Sequence, residues 1–381
     1  MFTRSSLMAL SLAAAAWAQS SQPLDPASAI RISLAPGAPV SVVSTDLGDS
    51  RIQARGGAMV LDLHATVTLR NNAPQSVRGV TLVVLAQEMT PGGKGSVAVP
   101  SLNIGAGKTF PVRINLRLLR PLPAPPGPLV EVGLDGVLFN DFSFFGPNRL
   151  ESRRTMTVWE REARRDREYL KAILDQKGPA GVQQEMLASL ARQAARPRLD
   201  AQVSRPARTI SAAVNALTGR NVTLAFLKLP DSPLELLSGV VQVNGAEASS
   251  PRIEVVNRSN RPVRYFEMGW IVQDASGQKF LAGSIPAGSS SLDLPPGRSA
   301  STLHDRTYKF SRSEGPPSIT GMSSFVSQVE FADGTTWIPS RKALSDASLL
   351  GILPVSPEEQ RLSEIYRTKG LPALIEELGK F

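Results

Sequence analysis

Through most of the chain, apolar and polar residues alternate with a period of two, as in a strand with one face in a core and the other in water. Val67 and Leu69 alternate with Thr66, Thr68 and Arg70, and Ile253 and Val255 alternate with Arg252 and Glu254. Unbroken apolar runs at 82–86 and 268–272 predict strands covered on both faces. Turn chemistry separates these runs: Asn71-Asn72-Ala73-Pro74, the stretch 257–262, and Asp274 to Gly277. Residues 329–331 and 335–337 flank Asp333-Gly334 and read as a tight hairpin, since Asp-Gly suits the positive φ angles of a type I′ turn. Asp141-Phe142, in the corresponding place earlier in the chain, predicts a turn of another type.

The period becomes helical in two regions. From Thr157, the residues Trp159, Ala163, Tyr169, Leu170, Ile173 and Leu174 fall on one stripe. Gly178-Pro179 breaks this helix, a second spans 182–195, and a short third is expected at 209–217. Pro357-Glu358-Glu359 opens a C-terminal helix that Gly370 interrupts and Pro372 resumes.

The β-type pattern occurs twice. Residues 66–88 lie over 252–274 at a constant offset of 186 without a gap: Asn71 meets Asn257, Val77 meets Val263, Arg78 meets Arg264 and Gln87 meets Gln273. Further blocks follow in the same order: Pro39 with Pro233, Gly107 with Gly297, Val137 to Asp141 with Val329 to Asp333, and Arg149 with Arg341. Each copy supplies six or seven short strands, the pattern of an antiparallel sandwich. The expected fold is therefore mainly β with helical additions: two tandem β-sandwich domains at 30–154 and 222–345, a basic helical connector at 155–221, and a helical segment at 346–381. The strand Ile253 to Asn257, Ser259, the turn Asp274 to Gly277 and Leu294 to Gly297 together resemble bacterial immunoglobulin-like domains of the FxLYD type. In the first copy Glu88 replaces the Asp, and Gly105-Ala106-Gly107 replaces the Pro-Pro-Gly. The resemblance implies an immunoglobulin-like fold and a non-catalytic extracytoplasmic role, and it transfers no site residues.

Residues 1–18 read as a secretory signal: Arg4, a short apolar stretch, then Ala16-Trp17-Ala18, followed by a flexible stretch at 19–29. A periplasmic or secreted protein without a transmembrane segment after signal cleavage is expected. The chain contains no Cys, so disulfides, thiolate chemistry and Cys-based metal sites are excluded. Net charge is +9, and residues 149–208 hold fourteen Lys and Arg against eight Asp and Glu. Arg161, Arg164, Arg165 and Arg167 are thus candidates for binding an anionic partner. The alternative is a solvated face in which Glu160, Glu162, Asp166 and Glu168 pair with them.

Other candidate chemistry is thin. His64 falls on a strand, and His304-Asp305 follows Ser289, Ser290 and Ser291 without the Gly-x-Ser-x-Gly elbow that presents a nucleophile. Glu358-Glu359 and Glu376-Glu377 read as solvated surface pairs. Asp141 and Asp333 suit hairpin turns better than calcium, which needs several closely spaced oxygens. Gly92-Gly93-Lys94-Gly95 lacks the rest of a phosphate loop. Phe142, Phe144, Phe145 and Trp337 could form a sugar platform, although a repeated terminal-strand aromatic is more often core. No metal or cofactor is expected. The reading is a non-catalytic exported protein that binds or assembles with an unknown protein or envelope polymer, nucleic acid not being expected. The alternatives are a hydrolase of unrecognised type and an envelope protein whose connector binds anionic polymers.

Overall fold

The computed structural model describes residues 22–23, 30–55, 58–86, 94–121, 128–204, 219–286, 292–303 and 306–381. The signal at 1–18, the helix expected at 209–217, His304-Asp305, Ser289 to Ser291 and Gly92-Gly93 lie outside these residues. In order, the first strands are β1 (Gln22–Pro23), β2 (Ile30–Ser33), β3 (Val40–Asp46), β4 (Arg51–Arg55), β5 (Ala58–Asn71), β6 (Val77–Ala86), β7 (Lys94–Val99), β8 (Thr109–Pro121), β9 (Val130–Phe139) and β10 (Phe144–Phe145). Helix α1 (Ser152–Ala195) precedes β11 (Asp200–Ser204), β12 (Arg220–Thr223), β13 (Ala225–Phe226), β14 (Leu234–Asn244), β15 (Glu247–Asn257), β16 (Val263–Asp274) and β17 (Lys279–Pro286). Then come β18 (Ser299–Leu303), β19 (Thr307–Ser311), β20 (Ile319–Phe331), β21 (Thr336–Trp337), α2 (Arg341–Leu344), α3 (Ala347–Leu350) and α4 (Pro357–Gly379).

The chain divides into two units. The first comprises residues up to Val99, Ile104–Val137 and Phe145–Pro147, and the second holds the rest, including the turn Leu138–Phe144 and all the helices. One sheet of the first set runs β1-β4-β5-β3 with β8 on β5, and the other runs β10-β9-β6-β7 with β2 on β9. In the second set the orders are β11-β19-β15-β14-β12 with β18 on β15, and β13-β20-β16-β17 with β21 on β20. β2 runs parallel to β9 and β13 parallel to β20, whereas β3, β4 and β8 pair antiparallel with β5, β6 with β7, β14 with β15, and β16 with β17 and β20. Alternation dictates the burial of β5: Leu61, Leu63, Ala65, Val67 and Leu69 are buried, while His64 and Arg70 are exposed.

In the second unit one core lies between the two sheets. Val241, Ile253, Val255, Tyr308 and Phe310 come from one sheet, and Phe266, Met268, Trp270 and Val326 from the other. The apolar run at 268–272 is covered on both faces, as its continuity predicts. Ile271 and Phe325 turn away from that core and pack with Ala343 of α2, Leu349 of α3 and Ile352.

The same corner is built twice. Asn71 and Asn257 are both fully buried. Asn71 Nδ2 donates to the carbonyls of Gln75 (2.8 Å) and Ile104 (2.9 Å), and its Oδ1 accepts from the Ala73 amide. Asn257 Nδ2 donates to Arg261 (2.8 Å) and Leu294 (2.9 Å), and its Oδ1 accepts from the Ser259 amide. The backbone of Asn71 bonds with Lys108 and Gly107, and that of Asn257 with Arg298 and Gly297.

The two terminal hairpin turns are also alike, and here the structure corrects the sequence expectation. Phe331 N–H donates to Thr335 and Gly334 N–H to Phe331, with Gly334 at φ 81° and Asp333 outside the positive-φ set. This is a three-residue loop with a left-handed last residue, not a type I′ turn. Phe139 and Ser143 close the first turn in the same way, with Phe142 at φ 65° in the position held by Gly334. Asp141 Oδ1 accepts from the amide and hydroxyl of Ser143, and Asp333 Oδ1 does so from Thr335. A Phe there is strained, because its Cβ crowds the backbone in the left-handed region.

Helix α1 opens at Ser152, before the expected 157, and bends at Gly178 (φ 66°, ψ −169°) ahead of Pro179. Helix α4 is capped by Ser356, whose Oγ accepts from Glu359 N, and bends at Gly370 (φ 83°) ahead of Pro372. Leu170, Val182 and Met186 of α1 share a core with Leu362, Leu374 and Leu378 of α4. Residues 200–204, expected within a helical connector, form β11 instead, after Pro197 has ended the helix.

Candidate functional site

The densest polar chemistry joins α1 to α4, and it is buried. Glu160 and Arg167 sit at 2% and 4% exposure, and Glu358 and Glu359 at 1% and 2%, so the two glutamates opening α4 are not the solvated pair their adjacency suggested. Being neighbours on a helix, they face different partners. Glu160 Oε1 accepts from Arg164 Nε (2.8 Å) and Arg167 Nη2 (3.1 Å), while Arg167 Nη1 donates to Glu358 Oε1 at 3.1 Å. Arg361 grips both oxygens of Glu358, at 2.9 Å each, and reaches Glu377. On the other limb, Glu359 accepts from the Ser189 hydroxyl and from Arg341. Asp166 accepts from Arg165 and from the Ser356 hydroxyl. Burial works against the Arg341 charge, yet the Glu359 hydrogen bond and the carboxylates around it outweigh this and hold its pKa above the ordinary value. Both serine hydroxyls are engaged, and each carboxylate is answered by a guanidinium, an arrangement that fastens helices.

The four candidate binding arginines separate in this setting. Arg167 is buried between Glu160 and Glu358, with its guanidinium 4.0 Å from the centre of the Phe381 ring. Arg165 pairs with Asp166 and donates to the Pro339 carbonyl. Arg164 pairs with Glu160, donates to the Asn140 carbonyl and lies 4.3 Å from the centre of the Phe142 ring. Arg161 is different. Half-buried, it stacks on the same ring at 5.4 Å, and its Nε has no hydrogen-bond partner among the described residues. Burial and the neighbouring charges of Arg164 and Arg261 hold its pKa below the ordinary arginine value. The Glu160–Arg164 pair is the i,i+4 contact that spacing predicts; Glu160 also meets Arg167 seven residues on.

Glu162 is the one carboxyl in this region pushed far upward, to about 7, by burial, with Arg165 opposing and Asp166 adding to the rise. A carboxyl whose folded pKa exceeds its unfolded value favours folding at low pH, and that contribution is lost as pH rises from about 4.5 through about 7. Glu162→Gln should therefore leave thermal stability unchanged at pH 4 and raise the melting temperature at pH 8. Equal shifts at both values would refute it.

The remaining candidates are structural in their contacts. His64 is exposed on β5, with Nδ1 3.3 Å from Asn115 Oδ1. Trp337 is half-buried and packs against both cores of the second unit. Phe142, Phe144 and Phe145 are half-buried. Among the described residues no group of three or more acidic or His side chains could hold a metal, and no helix is long and apolar enough to cross a membrane. Asn71, Asn257 and the buried charge network are features that sequence reasoning did not single out by role. Recurrence of Asn at both corners was the available signal.

No family model matches the chain, and no curated protein matches it. Among solved structures, Northeast Structural Genomics Consortium target SoR45 is 12% identical, with 38% of this chain and 90% of that one covered, at a TM-score of 0.12. A β-glucosidase from Kluyveromyces marxianus is 9% identical, with 71% of this chain and 45% of the enzyme covered, at a TM-score of 0.15. Neither likeness carries an argument about fold or function.

Proposed function

We propose that the protein is exported and non-catalytic, and that it uses two tandem immunoglobulin-like sandwiches for binding or assembly in the periplasm or outside the cell. The observation that carries this reading is the repeated corner, in which Asn71 and Asn257 make the same buried bonds at matched positions. Repeated strand order and the shared hairpin geometry support the duplication further. The helical segments are fasteners of the second copy. Affinity capture from an envelope fraction tests the reading, using the chain without residues 1–18 at low salt and at about 0.5 M, where Coulomb attraction is strongly screened. A specific protein retained at high salt is the expected result; recovery of anionic polymer alone would overturn it.

One observation favours a second reading, attachment to anionic envelope polymer. Arg161 carries a charge that no carboxylate on the described residues answers. In that case Arg161→Ala would abolish low-salt polymer retention.

A further inference from the structure

The two copies differ at one edge. In the second, β11 pairs antiparallel along the outer side of β19, from Asp200 opposite Ser311 to Ser204 opposite Thr307. The counterpart of β18 and β19 in the first copy is β8, a single strand paired without a register break along β5 from Thr109 to Pro121. Among the described residues, no strand lies on the outer side of β8.

Register decides which groups that edge presents. Asn71 N–H donates to Lys108 O, so in an antiparallel ladder the even-numbered residues of β8 turn their amides and carbonyls toward β5. Arg113, Asn115, Arg117 and Leu119 turn theirs outward. Pro111, with no N–H, falls on the outward set, where it breaks no ladder bond. An unpaired edge of this length is a template for another strand unless it is blocked. The side chains beside it are distinctive. Arg113 is exposed, Arg117 is 71% exposed while paired with Asp62 of β5 at 3.3 Å, no acidic residue occurs in β8, and Leu119 is 69% exposed.

We propose that the outer edge of β8 takes an extended segment of a partner protein as an added antiparallel strand, with acidic side chains meeting Arg113 and Arg117 and an apolar one covering Leu119. The addition of β11 to β19 is the internal precedent, and backbone pairing with alternate side-chain pockets is a general mode of peptide recognition. The proposal rests on the binding reading above and supplies its surface.

The test uses the full chain and a short extended peptide with Glu opposite Arg113 and Arg117 and Val opposite Leu119, read by anisotropy and by hydrogen exchange of the β8 amides. Exchange should slow at Arg113, Asn115, Arg117 and Leu119 and stay unchanged at their even-numbered neighbours. Leu119→Pro removes an outward N–H and the exposed leucine side chain while breaking no bond to β5, and should weaken the peptide by roughly tenfold or more. Arg113→Glu keeps the backbone intact and should reverse the preference between this peptide and the same peptide with Lys in place of Glu. Unchanged affinity in Leu119→Pro, or unchanged preference in Arg113→Glu, overturns the proposal. Self-association of the chain that Leu119→Pro abolishes would assign the edge to a second copy and also overturn it. An envelope protein captured equally well by Leu119→Pro removes this edge while leaving the binding reading standing. Capture of no protein, with the peptide still bound at β8, removes the broader reading alone.

Discussion

Arg167→Met should destabilise the second unit by about 3–5 kcal/mol, the range for breaking a buried ion pair by removal of one partner. The methionine keeps much of the stem and volume, so the loss is of charge more than of packing. What remains is Glu160 and Glu358, both almost fully buried, each with an Oε1 turned toward the vanished guanidinium. Arg164 and Arg361 continue to serve them from one side only. The Phe381 ring also loses a guanidinium stacked at 4.0 Å, an interaction of about 1 kcal/mol when partly desolvated. Urea unfolding followed by far-UV circular dichroism measures the change. Adding Glu160→Gln and Glu358→Gln to Arg167→Met should recover part of the stability, because the uncompensated charges are then gone. A cost under about 1 kcal/mol for Arg167→Met would mean that water reaches the network.

Asn71→Ala and Asn257→Ala should each cost about 2–4 kcal/mol, and the two costs should be similar. Each substitution deletes three hydrogen bonds at a fully buried side chain and leaves two carbonyls, of Gln75 and Ile104 or of Arg261 and Leu294, short of a donor. Asn257 also accepts from the Ser259 hydroxyl, so its loss should be the slightly larger one. Calorimetry of the full chain provides the measurement, with Asn71→Ala lowering the transition of the first unit and Asn257→Ala that of the second. A negligible effect at either position would contradict the equivalence of the corners.

The sequence made the helix breaks readable because their cause is local. Gly178-Pro179 and Gly370 before Pro372 combine a residue free to take positive φ with one that cannot donate, and both bends fall there. Strand faces were equally readable, since alternation alone separates Leu61, Leu63 and Val67 from His64 and Arg70. The turn at Phe142 was not, because propensity disfavours a Phe at φ 65°; Asp141 followed two residues later by a hydroxyl, as at Asp333, was the signal that would have found it. Strand β11 escaped because five residues have no period to speak of and their partner lies a hundred positions away. The buried charges were misjudged for a related reason. Glu358-Glu359 looks solvated until α1 supplies Arg167 and Ser189, and nothing near residue 358 announces that arrival.

The clasp between α1 and α4 has a consequence for the order of folding. Arg167 and Glu358 are 191 residues apart in the chain. While the polypeptide is being made, α1 emerges with its buried-to-be arginine and glutamate, and the whole second set of strands must follow before α4 can answer them. Contacts of such separation are slow to close, because the entropy of a long loop is lost before any bond is gained. The first unit closes its own sheets without that wait. A nascent chain would thus pass through a stage with one settled half and one half still holding α1 open to water, the stage at which a chaperone or a protease would find it.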